Sequence, residues 1–152
     1  MRIKIDNISF SYGSIKALEN VSFEIGNEMV GIIGPNGSGK TTLLNCIAGI
    51  LKAKGCILIN GKEVRKMNRK EIAREIGVVP QITNISFPLT VLDVVLMGRN
   101  PHKKKFEFIS KEDLKIAEEA MKIVGIEHLA NRVVTELSGG ELHQKIYKKF
   151  ME

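Results

Sequence analysis

The sequence predicts an α/β fold that carries an inserted helical subdomain, and three observations on its 152 residues support this prediction. Apolar and polar residues alternate near the N-terminus, which is typical of strands with one buried face. A glycine-rich loop at 34–42 stands between a short apolar run and a helix-forming stretch. From Leu89 onward the pattern changes to helices that begin with capping boxes.

Three strands are predicted from the alternation of apolar and polar residues. The alternation is clear at 3–5 and again at 21–25. A third strand is predicted at 56–60, because Asn60-Gly61 forms a favoured hairpin turn directly after it. We expect Val64 on the strand that returns from this turn.

Two further apolar runs, 29–33 and 76–79, predict strands of another kind. Each run is short and has no polar alternation, the pattern of a strand that is buried on both faces. The first leads directly into the glycine-rich loop, and Pro80 ends the second. Strand, glycine loop and helix in this order form the context that supports a phosphate-binding loop.

Four helices complete the prediction. Residues 41–51 follow the loop, and five apolar residues at helical spacing are expected on one face of this helix: Leu43, Leu44, Ile47, Ile50 and Leu51. A short helix is predicted at 68–75. Helices at 90–98 and 110–124 begin with the capping boxes Thr90-x-x-Asp93 and Ser110-x-x-Asp113.

The glycine-rich loop reads Gly-Pro-Asn-Gly-Ser-Gly-Lys-Thr-Thr, which contains the pattern Gly-x-x-x-x-Gly-Lys-Thr. Its glycines permit backbone conformations in which amide groups point inward and form an anion cradle beside a helix N-terminus. A lysine then reaches the β- and γ-phosphates, and a hydroxyl ligates Mg²⁺. A glycine turn without a ligand is the weaker reading. The candidate nucleotide-binding residues are Gly34, Pro35, Asn36, Gly37, Ser38, Gly39, Lys40, Thr41 and Thr42, with Thr41 as the metal ligand.

Composition narrows the class of protein. The net charge is +6, but basic and acidic residues are interspersed, and two Tyr and no Trp provide few stacking platforms for nucleic acid. We therefore expect no nucleic-acid partner. Cys46 and Cys56 are expected to be small, buried hydrophobic residues in a reducing compartment. The N-terminus has no apolar signal-peptide core and no run approaches membrane-spanning length, so a soluble protein is expected.

A second motif, Leu137-Ser138-Gly139-Gly140-Glu141, lies downstream of the loop. Together with the phosphate loop, it resembles the signature motif of the ATP-binding-cassette (ABC) family. The spacing Ser138-x-x-Glu141 is also that of a capping box, so these glycines would expose amide groups at a positive helix end. The resemblance extends from Met1 to about Leu142.

This resemblance implies roles for individual residues. Tyr12 matches the aromatic residue that stacks on adenine, and Gln81 matches the glutamine that contacts Mg²⁺ and reports the nucleotide state to a transport partner. The signature would contact the γ-phosphate of ATP bound to a second subunit in a head-to-tail dimer. Residues 89–102, and above all Gly98-Arg99-x-Pro101-His102, look like those of importers for iron-siderophores, haem or cobalamin.

The resemblance also implies an architecture and a location. The fold would be a P-loop NTPase core of the ABC type with an antiparallel β subdomain, at about 1–88, and a helical subdomain with the signature, at about 89–142. The protein would be the ATP-binding subunit of a metal-chelate importer, with ATP and Mg²⁺ as cofactors. It would be cytoplasmic and held at the inner face of the membrane by transmembrane permease subunits.

The sequence departs from the family at 143–152, which is lysine-rich and does not match. The family's second magnesium carboxylate, hydrolytic carboxylate and histidine are missing, so we expect the chain to bind nucleotide weakly and hydrolyse it little. The fold is expected to be incomplete at the C-terminus, with apolar surface exposed, as after a frameshift or early stop. A natural short paralogue is less favoured.

Three alternatives differ in their functional class. A non-catalytic nucleotide-binding remnant or regulatory fragment would bind ATP without turnover. A chromosome-maintenance ATPase is disfavoured, because the short span from Gln81 to Leu137 has no sustained heptads. A small P-loop kinase is disfavoured by the signature motif.

Overall fold

The computed structural model describes residues 1–79, 87–104 and 107–136. The chain divides into two compact units, Met1–Val78 and Val79–Glu152, each of which is described by itself. The predicted boundaries at about residues 88 and 142 stay predictions. No helix in the described ranges is long and apolar enough to cross a membrane.

The first unit contains a four-stranded antiparallel sheet. Its strands are β1 (Ile3–Tyr12), β2 (Ile15–Ile25), β3 (Lys54–Ile59) and β4 (Lys62–Glu63), in the spatial order β2-β1-β3-β4. The three strands predicted from alternation are confirmed, although β1 and β2 are longer than their patterns indicate. The predicted α/β class with an antiparallel β subdomain is confirmed.

The turn between β3 and β4 is the predicted Asn60-Gly61 hairpin, in which both residues have positive φ, 50° and 80°. The expectation that Val64 lies on the returning strand is wrong. β4 ends at Glu63, and Val64 begins a 3₁₀ helix, Val64–Lys66. The Val64 side chain is buried in the core cluster, so packing draws this residue out of the sheet edge.

Two helices belong to the first unit, α1 (Lys40–Ile47) and α2 (Arg69–Glu75). The predicted helix at 68–75 is confirmed, with Asn68 as its N-cap and Glu71 completing a capping box. The helix after the loop is confirmed, but it is shorter than 41–51. The prediction that five apolar residues share one helical face is wrong, because Ile50 and Leu51 lie beyond the end of α1 and Leu44, within α1, is 52% exposed.

The core of the first unit lies between the sheet and these helices. Its interior is built from isoleucine and other apolar side chains, and Ile8 and Ile59 have no exposed surface. The buried residues of this cluster are Ile3, Ile5, Ile8, Leu18, Leu43, Cys46, Ile47, Ala53, Ile57, Ile59, Val64 and Ile72.

The two apolar runs predicted as buried strands are not strands, so both predictions are wrong. Residues 29–33 and 76–79 have extended or irregular backbone and pair with no strand of the described residues. Met29 is 87% exposed and Ile33 98% exposed, and Val78 is half-exposed. A strand is buried on both faces only when neighbours cover both faces and edges, and no described residue does this for either run.

The second unit is helical within its described residues. Its helices are α3 (Val91–Met97) and α4 (Lys111–Val124), and both predicted capping boxes are present. α4 ends at Gly125, whose φ is 72°. Short 3₁₀ helices are found at Asn100–His102, Glu127–Leu129 and Val134–Glu136. The buried core consists of Val91, Met121, Ile126 and Leu129.

Candidate nucleotide-binding site

The glycine-rich loop has the backbone that its sequence predicts. Gly37 and Gly39 have φ values of 82° and 86°, in the left-handed region that residues with a Cβ avoid. Between them, the Ser38 amide donates a hydrogen bond of 3.2 Å to the Pro35 carbonyl oxygen. The chain thereby turns sharply and enters α1, with Gly39 as the N-cap residue.

Gly39 also sits directly against the backbone of β2. A Cβ added at Gly39 would lie 2.4 Å from the Ala17 carbonyl oxygen and 3.1 Å from Leu18 Cδ2. Real Cβ atoms do not approach a backbone oxygen so closely, so any side chain would push the loop away from the strand. The end of the loop therefore packs against β2, and only glycine at position 39 allows this close contact.

Lys40 folds back over the loop that precedes it. Its Nζ donates hydrogen bonds of 2.8 Å to the Gly34 carbonyl oxygen and 2.7 Å to the Pro35 carbonyl oxygen. The first-turn amides of α1 have no acceptors within the helix, and the helix dipole adds about half a positive charge at this end. An ammonium group and a positive helix end therefore lie together at the loop, an arrangement that suits an anion.

The two threonines after Lys40 face different environments. Thr41 is exposed on the first turn of α1, whereas Thr42 is buried, with 8% of its surface exposed. A hydroxyl oxygen is a hard donor of the kind that Mg²⁺ prefers. Thr41 fits this role because it is accessible, and Thr42 instead helps to pack α1 on the core.

Tyr12 lies at the end of β1, half-exposed, with its ring edge-to-face on Phe10 at a centroid distance of 4.9 Å. Phe10 is paired with Leu18 across the two strands, and paired residues project from the same face of a sheet. Leu18 is the side chain that approaches Gly39. Tyr12 therefore projects from the sheet face against which the phosphate loop rests.

Cys46 has its predicted structural role, but the expectation that Cys56 is buried is wrong. Cys46 is buried on α1, and burial raises the pKa of its thiol, which keeps it protonated and unreactive at neutral pH. Cys56 is half-buried, and neither cysteine forms a disulfide. Within the described ranges, no cluster of three His, Cys, Asp or Glu residues is arranged to hold a metal.

Sequence reasoning missed the residues that support the loop. Ala17 and Leu18 were not predicted as part of the site, because the strand before the loop was expected only at 21–25. The apolar residues at 15–18 are the signal that could have extended this strand. Gln81 and the signature, 137–141, lie outside the described residues, so their roles stay predictions.

The family comparison agrees with both motifs. Residues 18–146 match the model of the ABC transporter family, which is most of the chain. An uncharacterised ABC transporter ATP-binding protein of Methanocaldococcus jannaschii is 42% identical over 148 residues, 96% of this chain and 57% of that protein.

Two relatives whose names state a transported substrate are similar to a comparable degree. The manganese transport system ATP-binding protein of Halalkalibacterium halodurans is 38% identical, over 95% of this chain and 57% of its own length. The ferric enterobactin transport ATP-binding protein of Escherichia coli is 36% identical, over 92% and 52% respectively. The chain thus spans about half the length of the relatives it matches.

A solved structure matches the fold closely. The dimeric structure of a bacterial ABC transporter cassette has a TM-score of 0.78 at 31% identity, over 97% of this chain and 68% of that one. The predicted resemblance to ATP-binding subunits, including those of iron-siderophore importers, is confirmed. The chain accordingly belongs to the ABC transporter family and is related to its ATP-binding subunits.

Proposed function

We propose that this chain is the nucleotide-binding part of the ATP-binding subunit of an ABC importer, and that residues 34–42 bind the triphosphate of ATP with Mg²⁺. The observation that carries this proposal is the loop itself. Gly39 is seated on β2, and Lys40 Nζ is held over the loop at the positive end of α1. These features support anion binding, because backbone amides, an ammonium group and a positive helix end belong to one short loop.

Each group has a distinct part in binding. Lys40 would exchange its bonds to the Gly34 and Pro35 carbonyl oxygens for bonds to the β- and γ-phosphate oxygens. Thr41 would provide one ligand to Mg²⁺, which usually completes its shell with phosphate oxygens and water. Tyr12 would stack on adenine, as its exposure and its position on the loop-facing side of the hairpin favour.

The remaining roles concern partners. Gln81 would contact Mg²⁺, and the signature residues Leu137, Ser138, Gly139, Gly140 and Glu141 would contact ATP held by a second subunit. The likeness to a dimeric cassette supports such a head-to-tail dimer. Transmembrane permease subunits would hold the protein at the cytoplasmic face of the membrane.

The transported substrate is proposed to be a metal chelate. Residues 98–102 resemble the corresponding segment of metal-chelate importers, and the ferric enterobactin relative supports this class. The similarity to a manganese transport protein supports a broader class of transported substrate, a metal in ionic or chelated form. Transport of the metal would be coupled to ATP binding and hydrolysis.

The test of nucleotide binding is a calorimetric titration of the 152-residue chain with Mg-ATP. Lys40→Ala should weaken binding at least about tenfold, because a hydrogen bond to a charged group contributes roughly 1.5–3 kcal/mol. Lys52→Ala is the matched control, since Lys52 is exposed and lies outside the loop. Equal affinities of the Lys40 and Lys52 variants would contradict the proposal.

A separate measurement concerns turnover. For a protein of these 152 residues we propose binding with little hydrolysis, because phosphoryl transfer to water needs a positioned water and metal clamps. Residues 143–152 do not supply the family's carboxylates for this purpose. Steady-state phosphate release that Lys40→Ala abolishes would contradict this part of the proposal.

A further inference from the structure

A second apolar side chain stands beside Tyr12 at the end of the β1–β2 hairpin. Ile15 is the cross-strand partner of Tyr12, so the two side chains project from the same face as direct neighbours. Ile15 is 69% exposed and Tyr12 is 51% exposed. An isoleucine this exposed at the tip of a hairpin contributes little to the core, so its apolar surface is available to a ligand.

An irregularity in β2 puts Ile15 on the same face of the sheet as Leu18, the side chain that approaches the phosphate loop at Gly39. Ile15 and Leu18 are three residues apart and would lie on opposite faces of a regular strand. The register shifts between the pairs Phe10–Leu18 and Ser11–Lys16, which leaves Ala17 as an extra residue on β2. Because of this bulge, the side chains of Ile15 and Leu18 project from the same face of the sheet. Leu18 approaches Gly39.

The neighbouring charged residue belongs to the other face. Lys16 follows Ile15, so its side chain projects from the opposite side of the strand. Its Nζ forms an ion pair with Glu19 at 2.6 Å. The face shared with the loop therefore presents a ring and an aliphatic side chain, and the Phe10 contact at an interplanar angle of 78° supports the ring from one side.

We propose that Ile15 is a second base-contacting residue, which forms with Tyr12 an apolar platform for the flat face of the base. This inference rests on the proposed function and deepens it. A planar heteroaromatic ring covers both side chains when its triphosphate lies in the loop, since hairpin and loop are joined through Gly39. Both side chains would contact the face of the base and not its edge. Their contribution to the affinity would therefore depend on the area of apolar contact.

The experiment compares two ligands, Mg-ATP and Mg-tripolyphosphate, by calorimetric titration of the full chain. Ile15→Ser should weaken ATP binding about fivefold, the effect expected when part of an isoleucine side chain loses its contact. Tripolyphosphate has no base, so its affinity should not change. Ile15→Leu keeps the apolar surface and should keep the ATP affinity.

Ile123→Ser is the matched control, because Ile123 is 64% exposed and lies on α4 in the second unit. This variant should bind both ligands as the parent chain does. If Ile15→Ser weakens both ligands equally, or neither, the base-contact role is wrong while the proposed function stands. A parent chain that binds neither ligand would contradict the proposed function and this inference with it.

Discussion

The two units of the chain differ in what holds their elements in place. The described helices of the second unit begin where side chains cap them, at Thr90 and Ser110, and α4 stops at Gly125. In the first unit, β1 is paired along its length with β2 and β3, which are distant from one another in sequence. Local signals therefore define the described helices of the second unit, whereas the sheet of the first unit also depends on the pairing of β1 with β3, which is distant in sequence.

This difference shows in the interiors as well. The first unit buries a sheet-based cluster that includes Ile5, Ile8 and Ile59. Among its described residues, the second unit has a buried cluster of four members, and the Arg99–Asp113 ion pair adds a polar contact of 2.9 Å. Substitutions should consequently act through packing in the first unit and through caps and polar contacts in the second.

Among these variants the largest effect is expected at Gly39, which packs directly against the backbone of β2. Gly39→Ala should destabilise the first unit by about 2–4 kcal/mol, because it combines a left-handed backbone with overlap on β2. Gly37→Ala has the same backbone requirement but nothing within 4 Å of its Cβ position. It should cost only about 1–2 kcal/mol.

Urea denaturation followed by far-UV circular dichroism measures both variants, and titration with Mg-ATP measures the loop. Gly39→Ala should also abolish measurable ATP binding, since the loop can no longer rest on β2. Equal destabilisation by the two glycine substitutions would show that the contact with Ala17 contributes nothing.

A smaller effect is expected at a cap of the second unit. Ser110 Oγ accepts a hydrogen bond of 3.1 Å from the Asp113 amide, and the Ser110 amide donates one of 3.0 Å in return. Ser110→Ala should cost about 1 kcal/mol, the usual contribution of an N-cap residue. Thermal unfolding followed at 222 nm measures it, with Ser14→Ala in the exposed hairpin as the control. No difference between these variants would contradict a capping role.

The smallest effect near neutral pH is expected from the acid titration of Asp113. Hydrogen bonds from the Ser110 hydroxyl and amide, and then from Arg99, hold the pKa of this carboxyl well below its ordinary value of 3.8. Because the pKa of Asp113 is lower in the folded state than in the unfolded state, its carboxylate stabilises the fold at pH values above the unfolded-state pKa. This stabilisation is lost as the pH falls toward the folded-state pKa. Helicity should stay constant from pH 8 to 5 and fall below about pH 4.

Asp113→Asn should remove much of this acid sensitivity from the second unit, whereas Glu112→Gln, on the same turn, should not. Both are compared by circular dichroism at 222 nm between pH 7 and 2. An unchanged acid midpoint in Asp113→Asn would show that other carboxyl groups control the unfolding of this unit.

The same comparison explains which features the sequence could predict. Capping boxes at Thr90 and Ser110 are found as expected, because a cap depends on residues three positions apart. The apolar runs at 29–33 and 76–79 have the composition of buried strands, yet burial depends on partners that no local pattern specifies. Their exposure, 98% at Ile33, is therefore a result that the sequence could not provide.

The candidate site also combines features that the sequence could predict with features that it could not. The motif predicted backbone conformations closed to residues with a Cβ at the loop glycines, and Gly37 and Gly39 adopt them, whereas α1 begins at Lys40, one residue before the predicted helix. It could not predict that Gly39 rests on Ala17, since this contact requires the register of a strand with a bulge. The shared face of Tyr12 and the loop follows from that register too.

In the contact between the loop and β2, a residue without a side chain packs against a carbonyl oxygen of the main chain. An alanine scan of β2 would pass over residue 17, which is alanine already, and changing its side chain would leave the oxygen in place. The contact is thus insensitive to substitution on the strand and sensitive at one position on the loop. Sequence variation at residue 17 can therefore be wide without consequence for the loop, whereas Gly39 has no equivalent replacement.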